Sequence, residues 1–143
     1  MVSLATRILL IEDSEADVWL VREALEQAGL QFELQVFEDG ESAVDFIESL
    51  DQDPTIPPPR MILLDLNLPK KGGAQVLERI RQGRVCAQVP VVILTSSDSP
   101  KDKSLVAELG ATHYFRKPSR LNEFMTLGLL VQRLVAAENG ATA

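Results

Sequence analysis

With 143 residues and a net charge of −7 at neutral pH, the chain has the length of one ordinary domain and the wrong sign for gripping a phosphate backbone, so direct nucleic-acid binding is not expected. Its apolar share of 45% and charged share of 24% are those of a folded globular protein rather than a disordered one. The lone cysteine, Cys86, rules out an internal disulfide, and with no leader-like segment and no apolar run able to cross a bilayer a cytoplasmic protein is expected.

Hydrophobic periodicity gives the elements in turn. Arg7 to Ile11 reads as a strand, and a helical pattern follows from about Ser14 to Ala28, stopped by Gly29. Phe32 to Phe37 is a second strand. Asp39 and Gly40 turn the chain into a helix carrying Ala43, Phe46, Ile47 and Leu50 at helical spacing. From Asp51 to Pro59 the four prolines Pro54, Pro57, Pro58 and Pro59 lack backbone donors and fix φ, which predicts an extended surface loop. The strand Met61 to Asp65, a helix from about Gly73 to Gln82, and a strand Val89 to Leu94 come next. A helix from Pro100 to Leu109 is signalled by Ser99 as its cap and Pro100 in its first turn. A short strand, His113 to Phe115, precedes a last helix after Pro118, with Ser119 placed to cap it.

Uninterrupted apolar runs such as Met61-Ile62-Leu63-Leu64 and Val91-Val92-Ile93-Leu94 suit parallel strands covered on both faces. Strand and helix alternate, which suits right-handed crossovers. The expected architecture is a three-layer α/β sandwich of five strands and five helices.

In an open parallel sheet the working crevice lies beyond the carboxyl ends of the strands. Those ends are polar here: Glu12 and Asp13 after the first strand, Asp65 on the third, Thr95 and Ser96 on the fourth, and Lys117 beyond the fifth. Either acid of the first pair alone is as well explained as a helix cap, Lys117 alone as a solvated charge, and Thr95 alone as a β-branched strand residue. Four strand ends agreeing is harder to dismiss. Three convergent carboxylates repel one another unless a cation sits between them, and an oxygen-only ligand set favours Mg²⁺. A carboxylate beside Mg²⁺ is able to take a phosphoryl group, with Lys117 offsetting charge and Thr95 donating a hydrogen bond.

The segments Ile8-Leu9-Leu10-Ile11-Glu12-Asp13, Met61-Ile62-Leu63-Leu64-Asp65-Leu66-Asn67-Leu68-Pro69, Val91-Val92-Ile93-Leu94-Thr95-Ser96 and Tyr114-Phe115-Arg116-Lys117-Pro118 resemble those of the receiver domain of bacterial two-component response regulators. The resemblance runs from Arg7 to about Ala137, so the chain reads as a single receiver domain over 1–143 with its core at about 7–137. It implies a flavodoxin-like sheet in the order 2-1-3-4-5. By the same resemblance Asp65 is the phosphoacceptor for a sensor histidine kinase, Glu12 and Asp13 hold Mg²⁺ with it, and Asn67 lends its backbone carbonyl to the metal. Thr95 resembles the switch hydroxyl, Tyr114 the aromatic that follows it inward, and Lys117 the lysine that pairs with the phosphate; Lys117-Pro118 would be a cis peptide. The segment Asp65-Leu66-Asn67-Leu68-Pro69-Lys70-Lys71 and the long proline loop are similar to stand-alone receivers serving phytochrome-type kinases. Gly72-Gly73 departs from the family, where an acidic residue and glycine are common.

A phosphoryl group on Asp65 is expected to recruit Thr95 and Lys117 and to draw Tyr114 into the vacated space, reshaping the face made by the fourth helix, fifth strand and fifth helix. The chain ends soon after its last helix, so output is expected by binding. In that helix Leu121, Phe124, Met125, Val131 and Val135 are read as the core stripe. Leu127, Leu130 and Leu134 form a second stripe, assigned to a homodimer or docked partner, with burial under neighbouring loops as the alternative. Cys86 and His113 are read as structural. Two rival readings remain: a phosphatase of the haloacid dehalogenase type, weakened because Asn67 stands where its second aspartate belongs, and a receiver-like scaffold that is never phosphorylated. Self-dephosphorylation is expected to be modest, its rate tuned by the side chains of Asn67 and Ser97.

Overall fold

A computed structural model describes residues 5–141, with side chains through Ala137. Strands β1 (Thr6–Ile11), β2 (Phe32–Phe37), β3 (Met61–Asp65), β4 (Val91–Thr95) and β5 (His113–Arg116) alternate with helices α1 (Glu15–Gln27), α2 (Gly40–Gln52), α3 (Gly73–Gln82) and α4 (Pro100–Glu108). The fifth helix is in two pieces, α5 (Leu121–Phe124) and α6 (Thr126–Ala141), separated by Met125 alone. All strand pairs are parallel, in the order β2-β1-β3-β4-β5.

Strand side chains alternate between two cores, as a period of two requires. Leu9, Ile11, Ile62, Leu64, Val91 and Ile93 face α2, α3 and α4, where they meet Ile47, Leu50, Val76, Leu77, Ile80 and Val106. Ile8, Leu10, Met61, Leu63, Val92 and Leu94 face α1 and the fifth helix and meet Val21, Leu25, Phe124, Leu127 and Val131. Every residue of β3 and β4 is buried. Each large apolar side chain removed from water contributes roughly 1.5–3 kcal/mol, so these two central strands read as continuous hydrophobic runs because both of their faces are covered.

Local chemistry sets the ends of the helices. Ser14, Asp39 and Ser99 accept hydrogen bonds from the backbone N–H groups of Asp17, Ser42 and Asp102. Gly29, at φ +76°, supplies the left-handed turn that leaves α1. Asp51, placed in the loop by its prolines, instead lies in the last turn of α2, where its carboxylate accepts from the N–H groups of Arg84 and Val85 at 3.1 and 2.8 Å.

The C-terminal region departs from expectation in three ways. Ser119 does not cap the last helix: α5 starts at Leu121, with Arg120 at its N-cap and no side-chain cap bond. Leu121 is 53% exposed rather than core, whereas Leu127 is fully buried and belongs to no partner surface. Leu130 and Leu134, half-buried, pack on the same core. The buried positions Phe124, Leu127, Val131 and Val135 are spaced by three, four and four, which is one helical stripe with Leu127 inside it. Third, all described peptides are trans, including Lys117-Pro118, so the cis bond implied by resemblance is not present; trans is the isomer that X–Pro bonds favour by about 0.5–1 kcal/mol.

Candidate phosphoacceptor site

Parallel topology brings the C-terminal tips of β1, β3, β4 and β5 to one edge, and the residues there come from four separate parts of the chain. Glu12 and Asp13 directly follow β1, and carboxylate oxygens of Glu12, Asp13 and Asp65 all lie within 4.8 Å of one another. Glu12 and Asp65 are buried and Asp13 is exposed, so the cluster is closed on the protein side and open to solvent on the other. Asp65 is held at the end of β3 by its own loop: its Oδ1 accepts from the Asn67 N–H at 3.1 Å. This places Asn67 at the rim of the cluster. Gly73 packs so close that a Cβ there would meet the Asp65 carbonyl at 2.4 Å, which explains why glycine starts α3.

Lys117 leaves β5 with its backbone N–H bonded to the Thr95 carbonyl at 2.7 Å, and its side chain runs into the acids. Nζ lies 2.5 Å from Glu12 Oε1, 2.7 Å from Asp17 Oδ2 and 3.5 Å from Asp65 Oδ2. Burial alone would lower its pKa; hydrogen bonds to Asp17 and Glu12 and the charges of Glu12 and Asp65 more than reverse that, so the ammonium is firmly protonated. Glu12 responds in the opposite sense. Burial, then its close approach to Asp65, pushes its carboxyl from 4.5 up to about 8 despite Lys117. The acids carry more negative charge than one ammonium balances, and a divalent cation is the group that fits the remainder.

Thr95 is fully buried at the tip of β4, and its hydroxyl accepts from the Ser97 N–H at 3.1 Å. Ser97 ties several parts together. Its carbonyl accepts from the Tyr114 hydroxyl at 2.9 Å, and its own hydroxyl donates to Asp102 of α4 at 2.8 Å. Tyr114 is half-buried against the core, so it already points at the loop that follows Thr95.

Residues 8–127 match the model of the response regulator receiver domain family. The chain belongs to that family. Among curated receiver proteins it is similar to the response regulator Rcp1 of Synechocystis sp., 39% identical over 120 residues that cover 84% of this chain and 82% of that protein. Among solved structures it is similar to the phosphorylated cyanobacterial phytochrome response regulator RcpA, with a TM-score of 0.83, 29% identity and coverage of 94% and 96%. The Mn²⁺-bound form of Rcp1 superposes with a TM-score of 0.76 at 38% identity, covering 86% and 88%.

Within this receiver domain, the strand ends brought Glu12, Asp13, Asp65, Thr95, Ser96 and Lys117 to one edge and the resemblance added Asn67, and the structure brings these residues to that edge. Sequence reasoning missed Asp17. That residue lies in the first turn of α1, where an acid already has a sufficient explanation in the helix dipole, and the sequence alone carries no further signal for it. His113 is exposed at the start of β5. Cys86 is buried, with burial, then Asp51, raising its thiol to about 11 against the pull of Arg81, which makes it a poor nucleophile.

Proposed function

We propose that Asp65 accepts a phosphoryl group from the phosphohistidine of a sensor kinase, of the phytochrome type that RcpA's relationship suggests, in a Mg²⁺-dependent step. The observation that carries this reading is the convergence of the Glu12, Asp13 and Asp65 oxygens within 4.8 Å, flanked by the Lys117 ammonium. Glu12, Asp13, Asp65 and the Asn67 backbone carbonyl would hold the ion. Bound there, Mg²⁺ supplies neutralisation and orientation of the phosphoryl oxygens.

An Asp65 carboxylate oxygen attacks phosphorus as the N–P bond breaks; the histidine nitrogen leaves with the electron pair and takes up a proton, and an acyl phosphate results. Lys117 then meets the new oxygens from its seat between Glu12 and Asp17. The Thr95 hydroxyl, turning to donate to the phosphoryl group, releases the Ser97 N–H, and the Ser97 carbonyl that holds Tyr114 moves with it. The change reaches the face of α4, β5 and the fifth helix, where a docked protein or a second copy reads it. With Leu127 in the core, a homodimer would have to use the exposed positions of that face. Self-phosphorylation from small donors and slow self-dephosphorylation belong to the same reading, with the Asn67 and Ser97 side chains tuning the second. So do a single receiver domain over 1–143, a cytoplasmic location and the absence of a nucleic-acid partner. The net charge of −7 and the lack of a membrane-spanning helix among the described residues support the last two.

The test is incubation with Mg²⁺ and acetyl phosphate, followed by intact-mass measurement, with beryllofluoride and sizing in parallel. One phosphoryl adduct per chain, slowly decaying and absent from Asp65→Asn, is expected. Continuous phosphate release without an adduct would instead favour a phosphatase.

A further inference from the structure

One carboxylate at the site is not a member of the acid cluster. Asp17 lies outside the Glu12–Asp13–Asp65 group, yet its Oδ2 is 2.7 Å from Lys117 Nζ, whereas Asp65 Oδ2 is 3.5 Å away. The lysine is therefore anchored on Glu12 Oε1, at 2.5 Å, and on Asp17, with Asp65 its most distant acid partner. Asp17 is well placed to keep it there: it is in the first turn of α1, and its backbone N–H is tied to the Ser14 hydroxyl at 3.3 Å.

We propose that Asp17 is a positioning residue that draws the Lys117 ammonium off Asp65, leaving the acceptor carboxylate open to a divalent cation and the phosphoryl donor. This rests on the reading of the acid cluster given above. A metal ion and an ammonium compete for the same carboxylate lone pairs, and at contact range they repel. Without the Asp17 carboxylate, the remaining side-chain acceptors of Lys117 are Glu12 and Asp65, both of them metal ligands in that reading. The lysine, already on Glu12 Oε1, then closes on Asp65 as its second partner. With Asp17 present, that second partner lies away from the acceptor, and Asp65 stays at 3.5 Å. Exposure suits Asp17 for letting go as well. Its side chain is 27% exposed while that of Glu12 is 0%, so water takes over the freed Asp17 carboxylate once Lys117 moves to a phosphoryl oxygen.

The measurement is Mg²⁺ affinity by calorimetry on four full-length proteins: wild type, Asp17→Asn, Lys117→Met and the double variant. Asp17→Asn should weaken Mg²⁺ binding about 10-fold, the low end of what partners that orient metal-site side chains contribute. In the Lys117→Met background the same change should cost less than about 2-fold, because no ammonium is left to misplace. Asp17→Ser, shorter and also neutral, repeats the cycle if the asparagine variant folds poorly by circular dichroism. An Asp17 effect of equal size with and without Lys117 would overturn the proposal, leaving only a general field effect, and so would no effect at all. Failure of the wild type to bind Mg²⁺ would instead remove the reading of the acid cluster itself, so the two failures are distinguishable.

Discussion

Glu12 is a fully buried acid in contact with another acid, and its proton is the site's response to that conflict. Folding raises its pKa from 4.5 to about 8, so between those values the folded chain binds a proton that the unfolded chain has released. The contribution of Glu12 to metal-free stability should therefore be fully present below about pH 4.5 and be lost as the pH rises through 8. A divalent ion replaces that proton. The gain in melting temperature on adding Mg²⁺ should consequently grow between about pH 5 and about pH 8, read by thermal melts in Mg²⁺ and in chelator. A gain of constant size across that range would mean that Glu12 is ionised throughout. The strand-tip residues Glu12, Asp65 and Thr95 were legible in the sequence because each directly follows or ends an apolar run, and Lys117 because it follows the short fifth strand; parallel topology gathers such ends at one edge. Asp17 was not, because a helix-borne acid in a first turn already has a sufficient explanation in the helix dipole. Only the three-dimensional approach of β5 shows that Lys117 reaches it.

At the level of elements, β2, β3 and α3 were read with the bounds they have, and α3 is framed by Gly72 and Gly83. The start of β4 was placed two residues early. Val89 is apolar but lies in the preceding turn, its N–H bonded to Cys86 and its carbonyl taken by Arg81 at 2.7 Å, and Pro90 has no N–H to give a neighbouring strand. The fifth helix was misread for a different reason. Counting turns from Leu121 through an unbroken helix assigned Leu127 to an outer stripe, while the packing puts Leu127 in line with Phe124 and Val131. Leu127→Ala should thus cost about 2–5 kcal/mol in denaturant unfolding, as a buried leucine does. Leu129→Ala, at a position 56% exposed, should change stability by less than about 0.5 kcal/mol. Similar costs at both positions would contradict the helix phase described above.

Across the whole molecule the two ends of the sheet are built differently. The acid edge rests on charge held in tension, whereas at the other end Arg81 of α3 donates to four backbone carbonyls, those of Gly110, Cys86, Ala87 and Val89. One guanidinium thereby joins the turn before β4 to the turn after α4. Its consequence is mechanical: this end is the stator, and any stroke driven from Asp65 is confined to the opposite rim. Amide hydrogen exchange at Val91 and Ile62 should be the same with and without beryllofluoride, while Ser97 and the start of α4 change their protection; altered exchange at the clamped end would show that the whole sheet recoils instead.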